Sequence, residues 1–226
     1  MKTISVLLAD DHNLVRQGCR ALLCLAKDIE VVGEARNGRE AVLMTKQHRP
    51  DVVLMDLSMP LLNGLVATQQ ILAELPTTNV IILSGYSDDA SVDRLIGIGA
   101  AGYLFKHSSA EMLTQAIREV HRGNRFFSPS IMRRLENQDK ESVTADGGRS
   151  NRGLGLTPRE TEVVQLIAES HANKQIAADL GISVKTVQKH RQHLMNKLHI
   201  HDTAGLTRYA IAQGIIIANS GRTAVI

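Results

Sequence analysis

The sequence predicts a doubly wound α/β domain of five parallel strands, followed by a small all-α domain of four helices. Short apolar runs rich in β-branched residues recur along residues 1–120, and segments with helical periodicity separate them. No comparable strand pattern follows residue 120. The 226 residues are enough for two domains that each bury a core.

Five runs account for the predicted sheet. They are ISVLLA (4–9), IEVVGEA (29–35), DVVLM (51–55), NVIIL (79–83) and GYLFK (102–106). Helix starts support the alternation, because Asn37 with Glu40 and Ser108 with Glu111 have the spacing of an N-cap residue and its reciprocating glutamate.

The later part of the chain divides by composition. A short helix is predicted around residues 129–135, and the polar, Gly- and Ser-rich segment 136–155 is typical of a flexible linker. The predicted divisions are an α/β domain (1–120), a helical extension with the linker (121–155), a helical domain (156–217) and a C-terminal tail (218–226).

The helical domain begins with a strong start signal. Thr157, Pro158 and Glu160 combine a cap, a proline at the first helical position and a glutamate at the third. Helices are predicted at 158–170, 174–180, 184–198 and 203–216. Gly181 indicates a tight turn between the second and third helices, and Ser183 is the predicted cap of the third.

Composition excludes several classes of protein. No run approaches the about 18 apolar residues of a membrane span, and no basic region followed by a long apolar run opens the chain, so we expect a cytoplasmic protein without a membrane partner. Cys19 and Cys24 lie five apart in one predicted helix, which does not suit a disulfide, and we interpret them as core residues.

Charge is unevenly distributed. The net charge of +3 combines −3 over residues 1–120 with +6 over residues 121–226. An acidic first part favours a cation or phosphoryl site, and a basic second part favours a polyanion partner.

Polar residues collect where the predicted strands end. Asp10 and Asp11 follow the first strand, Asp56 follows the third, Ser84 follows the fourth, and Lys106 ends the fifth. The carboxyl ends of strands in an open α/β sheet form its chemical cleft, so we expect these side chains to converge. As an alternative, strand-end acids can simply cap the helices that follow them.

Three carboxylates in one cleft repel each other unless a cation lies among them, and their oxygens suit Mg²⁺. A carboxylate beside such an ion can act as a nucleophile toward a phosphoryl group. Asp56 is the candidate, because it stands alone whereas Asp10 and Asp11 form a pair that can share the metal. Lys106 then supplies a charge and Ser84 a hydroxyl to the phosphoryl group.

The segments LLADDH (7–12), VVLMDLSMPLLNG (52–64), IILSGYSD (81–88) and GAAGYLFK (99–106) resemble the signatures of response-regulator receiver domains, which have a flavodoxin-like (CheY-like) fold. The resemblance implies that Asp10, Asp11, Asp56 and the Ser58 backbone carbonyl bind Mg²⁺ and that a sensor histidine kinase phosphorylates Asp56. It further implies that Lys106 contacts the phosphoryl group and that Ser84 and Tyr103 reposition on activation. The family's usual proline after the lysine is His107 here, which removes the usual basis for the cis peptide common at that point.

The third predicted helix of the second domain has two distinct faces. Val184, Val187, Leu194, Met195 and Leu198 fall on the side predicted to pack on the core. The opposite side carries Lys185, Gln188, Lys189, Gln192 and Asn196, which are side chains suited to reading base edges in the major groove. Thr186, His190, His193 and Lys197 lie on the flank, where they can meet phosphates. A merely solvated face is the alternative, although no acid occurs between Ser183 and His201.

LTPRETEVVQLIAE (156–169), together with NKQIA, TVQKH and KL, resembles the LuxR-type domain of the NarL/FixJ response regulators. By this resemblance Gln188, Lys189 and Gln192 match base-contacting sites, and Lys185, Thr186 and His190 match backbone contacts. The last helix resembles the dimerisation helix, although Leu206, Tyr209, Ala210 and Ile211 are equally suited to the core. A dimer would place two reading helices on an inverted repeat.

We therefore predict a response regulator in which phosphorylation of Asp56 controls dimerisation and sequence-specific DNA binding, with RNA polymerase as a further candidate partner. Its only catalysis would be its own Mg²⁺-dependent phosphorylation and dephosphorylation. In the unphosphorylated form we expect the first domain to mask the reading helix or to prevent dimerisation.

Three alternatives stay open. A phosphatase of the haloacid-dehalogenase type needs a second acid two residues after its nucleophile, where this chain has Ser58. A ligand-sensing LuxR-type regulator would leave the strand-end residues unexplained. A regulator that works without phosphorylation can still carry a complete acidic pocket.

Overall fold

The computed structural model describes residues 3–85, 89–129, 131–132 and 156–216. The chain forms two compact units, Met1–Arg152 and Gly153–Ile226. None of the described helices combines the length and apolar character needed to cross a membrane.

The first unit alternates strands and helices. Its elements are β1 (Ile4–Ala9), α1 (Asn13–Cys24), β2 (Ile29–Ala35), α2 (Gly38–His48), β3 (Val52–Asp56), α3 (Gly64–Glu74), β4 (Asn79–Ser84), α4 (Asp89–Gly97), β5 (Gly102–Phe105), α5 (Ala110–His121) and β6 (Phe126–Phe127). All strands pair in parallel in the order β2-β1-β3-β4-β5-β6. The doubly wound fold is confirmed, but the sheet has a sixth strand. Two-residue β6 is too short for an alternating pattern to reveal it.

Alternate residues of the strands supply two separate cores. Leu7, Val53 and Ile82 belong to the core on the side of α2, α3 and α4. Leu8 and Leu54 belong to the core on the side of α1 and α5. Because both faces of the sheet are covered, the central strands are apolar except at their ends, where polar side chains gather.

Two local predictions for the first unit need correction. Asn37 caps α2 as predicted, because its side chain accepts a hydrogen bond from the Glu40 amide. The cap of α5, however, is Ser109 and not Ser108, since α5 begins one residue later than the spacing suggested. Cys24 is exposed at the end of α1 and is therefore not a core residue, whereas Cys19 is half-buried.

The predicted extension is described only in part, and the predicted tail is not described. The Met132 amide donates to the Ser128 carbonyl at 3.0 Å, in the first turn of the helix predicted around 129–135. The rest of that helix, the linker 136–155 and the tail 218–226 lie outside the described residues. The predicted divisions at 120, 155 and 217 stay predictions.

The second unit contains the four predicted helices, named α6 (Pro158–Ala168), α7 (Asn173–Leu180), α8 (Val184–Leu198) and α9 (Thr203–Ala212). Thr157 and Glu160 form the predicted capping box of α6. Gly181 ends α7 with φ of 62°, the left-handed conformation that the tight turn requires. Ser183 caps α8 by accepting a hydrogen bond from the Thr186 amide.

The core of this unit decides an alternative left open for α9 and corrects one prediction for α8. Leu206 and Ala210 of α9 are fully buried within one copy of the chain, so they are core residues and are not available to a dimer interface as this helix stands. Tyr209 is half-buried. Val187 and Leu194 are buried as predicted, but Val184 is 39% exposed because it lies in the first turn of α8, beyond the edge of the core.

Candidate functional site

The register of the sheet brings the strand-end acids together. Ala9 of β1 pairs with Met55 of β3, so the next residues, Asp10 and Asp56, lie side by side. Ser84 of β4 pairs with Phe105 of β5, which places Lys106 one residue further along the same edge. The sequence therefore determines this cluster through strand length and parallel pairing.

Lys106 connects the two buried carboxylates. Its Nζ atom lies 2.8 Å from Asp10 Oδ2 and 2.8 Å from Asp56 Oδ2. Asp10 is 4% exposed and Asp56 is 3% exposed. At this depth the charges are weakly screened, so the ammonium and the two carboxylates interact strongly.

The protonation behaviour of Asp56 follows from this setting. Burial raises the pKa of Asp56 to about 6; Lys106 acts in the opposite direction, and Asp10 adds to the rise. A backbone hydrogen bond from Ser58 also favours the carboxylate. Burial opposes the charged form of Lys106, but Asp56 and Asp10 outweigh it and hold its pKa above the ordinary value.

The acidic cluster fits a hard divalent cation. Ligand atoms of Asp10, Asp11, His12 and Asp56 all lie within 4.8 Å of one another. Three carboxylate oxygens of this cluster are buried. Lys106 Nζ lies 2.8 Å from Asp10 Oδ2 and from Asp56 Oδ2, and His12 Nδ1 lies 2.8 Å from Asp11 Oδ1. Carboxylate oxygens crowded together in this way suit Mg²⁺ as ligands. The part predicted for the Ser58 carbonyl stays a prediction.

The loop after Asp56 is held close to the site. Gly64 is required at the start of α3, because a Cβ there would collide with the Asp56 backbone carbonyl. Its amide donates to the Leu57 carbonyl at 2.9 Å, and Asn63 caps the helix through the Val66 amide. Leu61 has φ of 67°, a left-handed conformation that is costly for a leucine.

The predicted switch residues lie on neighbouring strands. Ser84 is 5% exposed at the end of β4, and its backbone carbonyl accepts a hydrogen bond from the Lys106 amide at 2.8 Å. Tyr103 is 1% exposed, and its ring meets that of Phe105 edge to face at 5.8 Å. The His107 ring stacks on Phe105 at 5.1 Å. No peptide bond in the described residues is cis, including the one before His107.

Sequence reasoning missed two residues at this site. His12 Nδ1 lies 2.8 Å from Asp11 Oδ1, and its position directly after two aspartates was the available signal. Arg16 is 6% exposed and donates to the Asp10 carbonyl. No sequence signal marked Arg16, because a single arginine in an amphipathic helix is ordinarily assigned to the solvated face.

The predicted base-reading face of α8 is accessible. Lys185, Gln188, Lys189, Gln192 and His193 are exposed, while Thr186 and His190 are half-buried on the flank. The Gln192 side chain donates to Asn196 Oδ1 at 3.1 Å, which aligns two amides along this face. The described part of α8 thus presents amines and amides without an acid.

Lys197 differs from the other predicted DNA contacts. Its Nζ atom lies 2.8 Å from Glu160 Oε2 at the start of α6. The ammonium therefore has a partner within its own unit, and its predicted phosphate contact stays a prediction.

Comparison with known proteins identifies the family. Residues 6–118 match the response regulator receiver domain, and residues 154–210 match the bacterial regulatory proteins of the luxR family. The chain belongs to the two-component response regulators of the NarL/FixJ type. It combines a receiver domain with a LuxR-type DNA-binding domain, which confirms the resemblance drawn from the sequence.

Individual response regulators match along almost their whole length. The oxygen regulatory protein NreC of Staphylococcus carnosus (strain TM300) is 37% identical over 215 residues, covering 94% of this chain and 99% of NreC. The response regulator protein VraR of Staphylococcus aureus is 36% identical over 214 residues, covering 95% and 99%. The solved complex of the response regulator RcsB with DNA matches with a TM-score of 0.58 at 26% identity, covering 94% of this chain and 99% of RcsB.

Proposed function

We propose that Mg²⁺-dependent phosphorylation of Asp56 by a sensor histidine kinase controls dimerisation and DNA binding by this response regulator. The observation that carries the proposal is the position of Lys106 Nζ, 2.8 Å from both Asp10 Oδ2 and Asp56 Oδ2. One cation thus bridges the candidate metal ligand and the candidate nucleophile. A regulator of transcription needs access to DNA, so we expect the protein in the bacterial cytoplasm.

Phosphorylation requires Asp56 as a carboxylate. Because its pKa is about 6, Asp56 is largely ionised at neutral pH even without a metal. An oxygen of Asp56 attacks phosphorus, the P–N bond of the donor phosphohistidine breaks, and the electron pair stays on the histidine nitrogen. Asp10 and Asp11 would hold Mg²⁺, which supplies positive charge against the phosphoryl oxygens when bound. Lys106 then pairs with the new phosphoryl group.

The acyl phosphate adds negative charge beside the carboxyl ends of β4 and β5. The Ser84 hydroxyl turns toward the phosphoryl oxygens, and the Tyr103 ring follows into the space that Ser84 leaves. Both residues are buried, so neither can move without repacking its neighbours. This repacking is the step that we expect to change the dimerisation of the protein and the access of α8 to DNA.

The phosphorylation step is tested with acetyl phosphate and MgCl₂ on the full chain. Mass spectrometry should show the gain of one phosphoryl group on the native protein and none on Asp56→Asn. Asp28→Asn is a matched control, because Asp28 is a carboxylate paired with Arg118 on the surface. Equal labelling of the native protein and Asp56→Asn would refute the proposal.

We further propose that α8 reads an inverted-repeat operator as a dimer. Exposed Gln188, Lys189 and Gln192 support base contacts, since amides pair with adenine edges and lysine with guanine acceptors. Lys185, Thr186, His190 and His193 lie where they can meet phosphates. The solved RcsB–DNA complex is consistent with this mode of action.

DNA binding is tested by selecting preferred sites from a random pool and measuring isotherms at several salt concentrations. Affinity should fall steeply with salt because phosphate contacts release counterions. Gln188→Ala should lose sequence preference with a largely retained non-specific affinity. Arg208→Ala, on the exposed side of α9, is the control and should bind as the native protein does. A Gln188→Ala protein with native preference would exclude base reading by this residue.

A further inference from the structure

Arg16 of α1 is a buried charge directed at the backbone of the acidic cluster. Its Nη1 atom donates to the Asp10 carbonyl at 2.7 Å, and its Nη2 atom donates to Asn13 Oδ1 at 2.9 Å. Its Nε atom donates to Glu34 Oε2 at 3.2 Å. The Arg16 side chain is 6% exposed, whereas Glu34 is 25% exposed and Asn13 lies at the surface.

The Asp10 carbonyl belongs to the peptide unit that joins Asp10 to Asp11. On the other side, the Asp10 amide donates to the Ala35 carbonyl at 3.1 Å. The backbone of Asp10 is thereby held from both directions, by β2 and by Arg16. Fixing this peptide plane fixes the directions in which both carboxylates leave the chain.

We infer that Arg16 is a positioning residue that orients Asp10 and Asp11 for the divalent cation. The inference rests on the proposed function, because it assigns a role toward the same metal site. Burying a guanidinium is costly unless it is paired and hydrogen-bonded, and here each of its three nitrogens has an acceptor: a backbone carbonyl, an amide oxygen or a carboxylate. The arrangement is specific to arginine, whose planar fork reaches several acceptors at once.

Arg20 provides the comparison that separates orientation from charge. Its Nη1 atom lies 2.6 Å from Glu34 Oε1, so Arg16 and Arg20 share the same carboxylate. Arg20 is 56% exposed and makes its described contact with Glu34 alone, whereas Arg16 also contacts the Asp10 carbonyl. Neutralising either arginine together with Glu34 leaves the net charge of the native protein unchanged.

The test measures Mg²⁺ affinity of the full chain by NMR, from the amide shifts of residues 10–12 during a MgCl₂ titration. Arg16→Lys keeps the charge and removes the fork, and it should weaken Mg²⁺ binding about tenfold. The charge-matched pair is Arg16→Met with Glu34→Gln against Arg20→Met with Glu34→Gln. The first double variant should bind at least about tenfold more weakly than the second.

The outcomes are distinct. Weaker Mg²⁺ binding in both Arg16 variants, with the Arg20 double variant within twofold of the native protein, supports positioning. A lower thermal midpoint without a change in Mg²⁺ affinity shows a structural role only and overturns the inference. If the Arg16 double variant does not fold, Arg16→Lys decides by the same criterion. A native protein without saturable Mg²⁺ binding refutes the metal site itself, and with it the proposed function.

Discussion

Lys106 Nζ lies 2.8 Å from Asp56 Oδ2 and 2.8 Å from Asp10 Oδ2, so its positive charge occupies the position between the two carboxylates. A divalent cation held by the same acids must share that position with the ammonium. We therefore expect Lys106 to lower the affinity of the site for metal while it stabilises the charges needed for phosphoryl transfer.

We expect Lys106→Met to separate these two effects. Without the ammonium, Mg²⁺ no longer competes with it for the two carboxylates and should bind about tenfold more tightly. Phosphorylation by acetyl phosphate should nevertheless be about 100-fold slower, because a charge directed at the phosphoryl group is lost. NMR titration and mass spectrometry measure the two quantities. Lys46→Met, which removes a surface ion pair with Glu74, should change neither; weaker Mg²⁺ binding in Lys106→Met would contradict the argument.

The raised pKa of Asp56 makes stability depend on pH. Burial raises it from 3.8 to about 6, so the folded chain holds this proton more tightly than the unfolded chain. Stability therefore falls as the pH rises from about 4 to about 6, and the penalty persists above that range. Asp56→Asn removes the penalty and should stabilise the metal-free protein by roughly 2–3 kcal/mol at pH 7.5.

Urea unfolding in EDTA at several pH values checks this expectation. The advantage of Asp56→Asn over the native protein should shrink toward zero as the pH falls to about 4. Asp28→Asn should behave in the opposite way, because the hydrogen bond to Arg118 lowers the pKa of Asp28 and stabilises the folded chain at neutral pH. A gain in Asp56→Asn that is independent of pH would count against the buried-charge explanation.

Gly64 tests how tightly the loop constrains Asp56. Gly64→Ala places a methyl group against the Asp56 carbonyl, so the loop must shift, and we expect a loss of about 2 kcal/mol or more in the free energy of unfolding. Phosphorylation of Asp56 should slow in parallel. Gly18→Ala is the control: it lies in α1 with open space around it and should add about 0.5–1 kcal/mol. Native stability in Gly64→Ala would show that the loop adapts.

The sequence predicts the acidic cluster well for a physical reason. In a parallel sheet covered on both faces, apolar runs define strand ends accurately, and residues just beyond those ends must meet. Asp10, Asp56 and Lys106 were therefore predictable together. The role of Arg16 was not predictable. Its burial depends on where Glu34 lies in β2 and on the direction of the Asp10 backbone carbonyl.

The second unit shows the same limit. Periodicity identifies the faces of α8 and α9, but it does not say which other helix covers a given face. Leu206 and Ala210 have the spacing of an interface and are buried by the fold of a single copy. Val184 has the spacing of a core residue and lies beyond the point where the core ends.

Glu160 restrains one of the basic residues of α8. Its Oε2 atom accepts a hydrogen bond from the Thr157 amide at 2.7 Å and pairs with Lys197 at 2.8 Å. Glu160→Gln keeps an acceptor for the cap but removes the charge, so Lys197 is released toward DNA. We expect DNA affinity to rise at low salt. The slope of log K against log salt concentration should become steeper by the amount that corresponds to about one additional phosphate contact.

The matched control is Glu162→Gln, because Glu162 forms an ion pair with Arg159 on its own helix. Its salt dependence should equal that of the native protein. Lys197→Met should also leave the native slope nearly unchanged, since the paired ammonium contributes little to DNA binding. If Glu160→Gln shows the native slope while Lys197→Met lowers it, then Lys197 already binds phosphate in spite of its partner, and the ion pair is not a restraint.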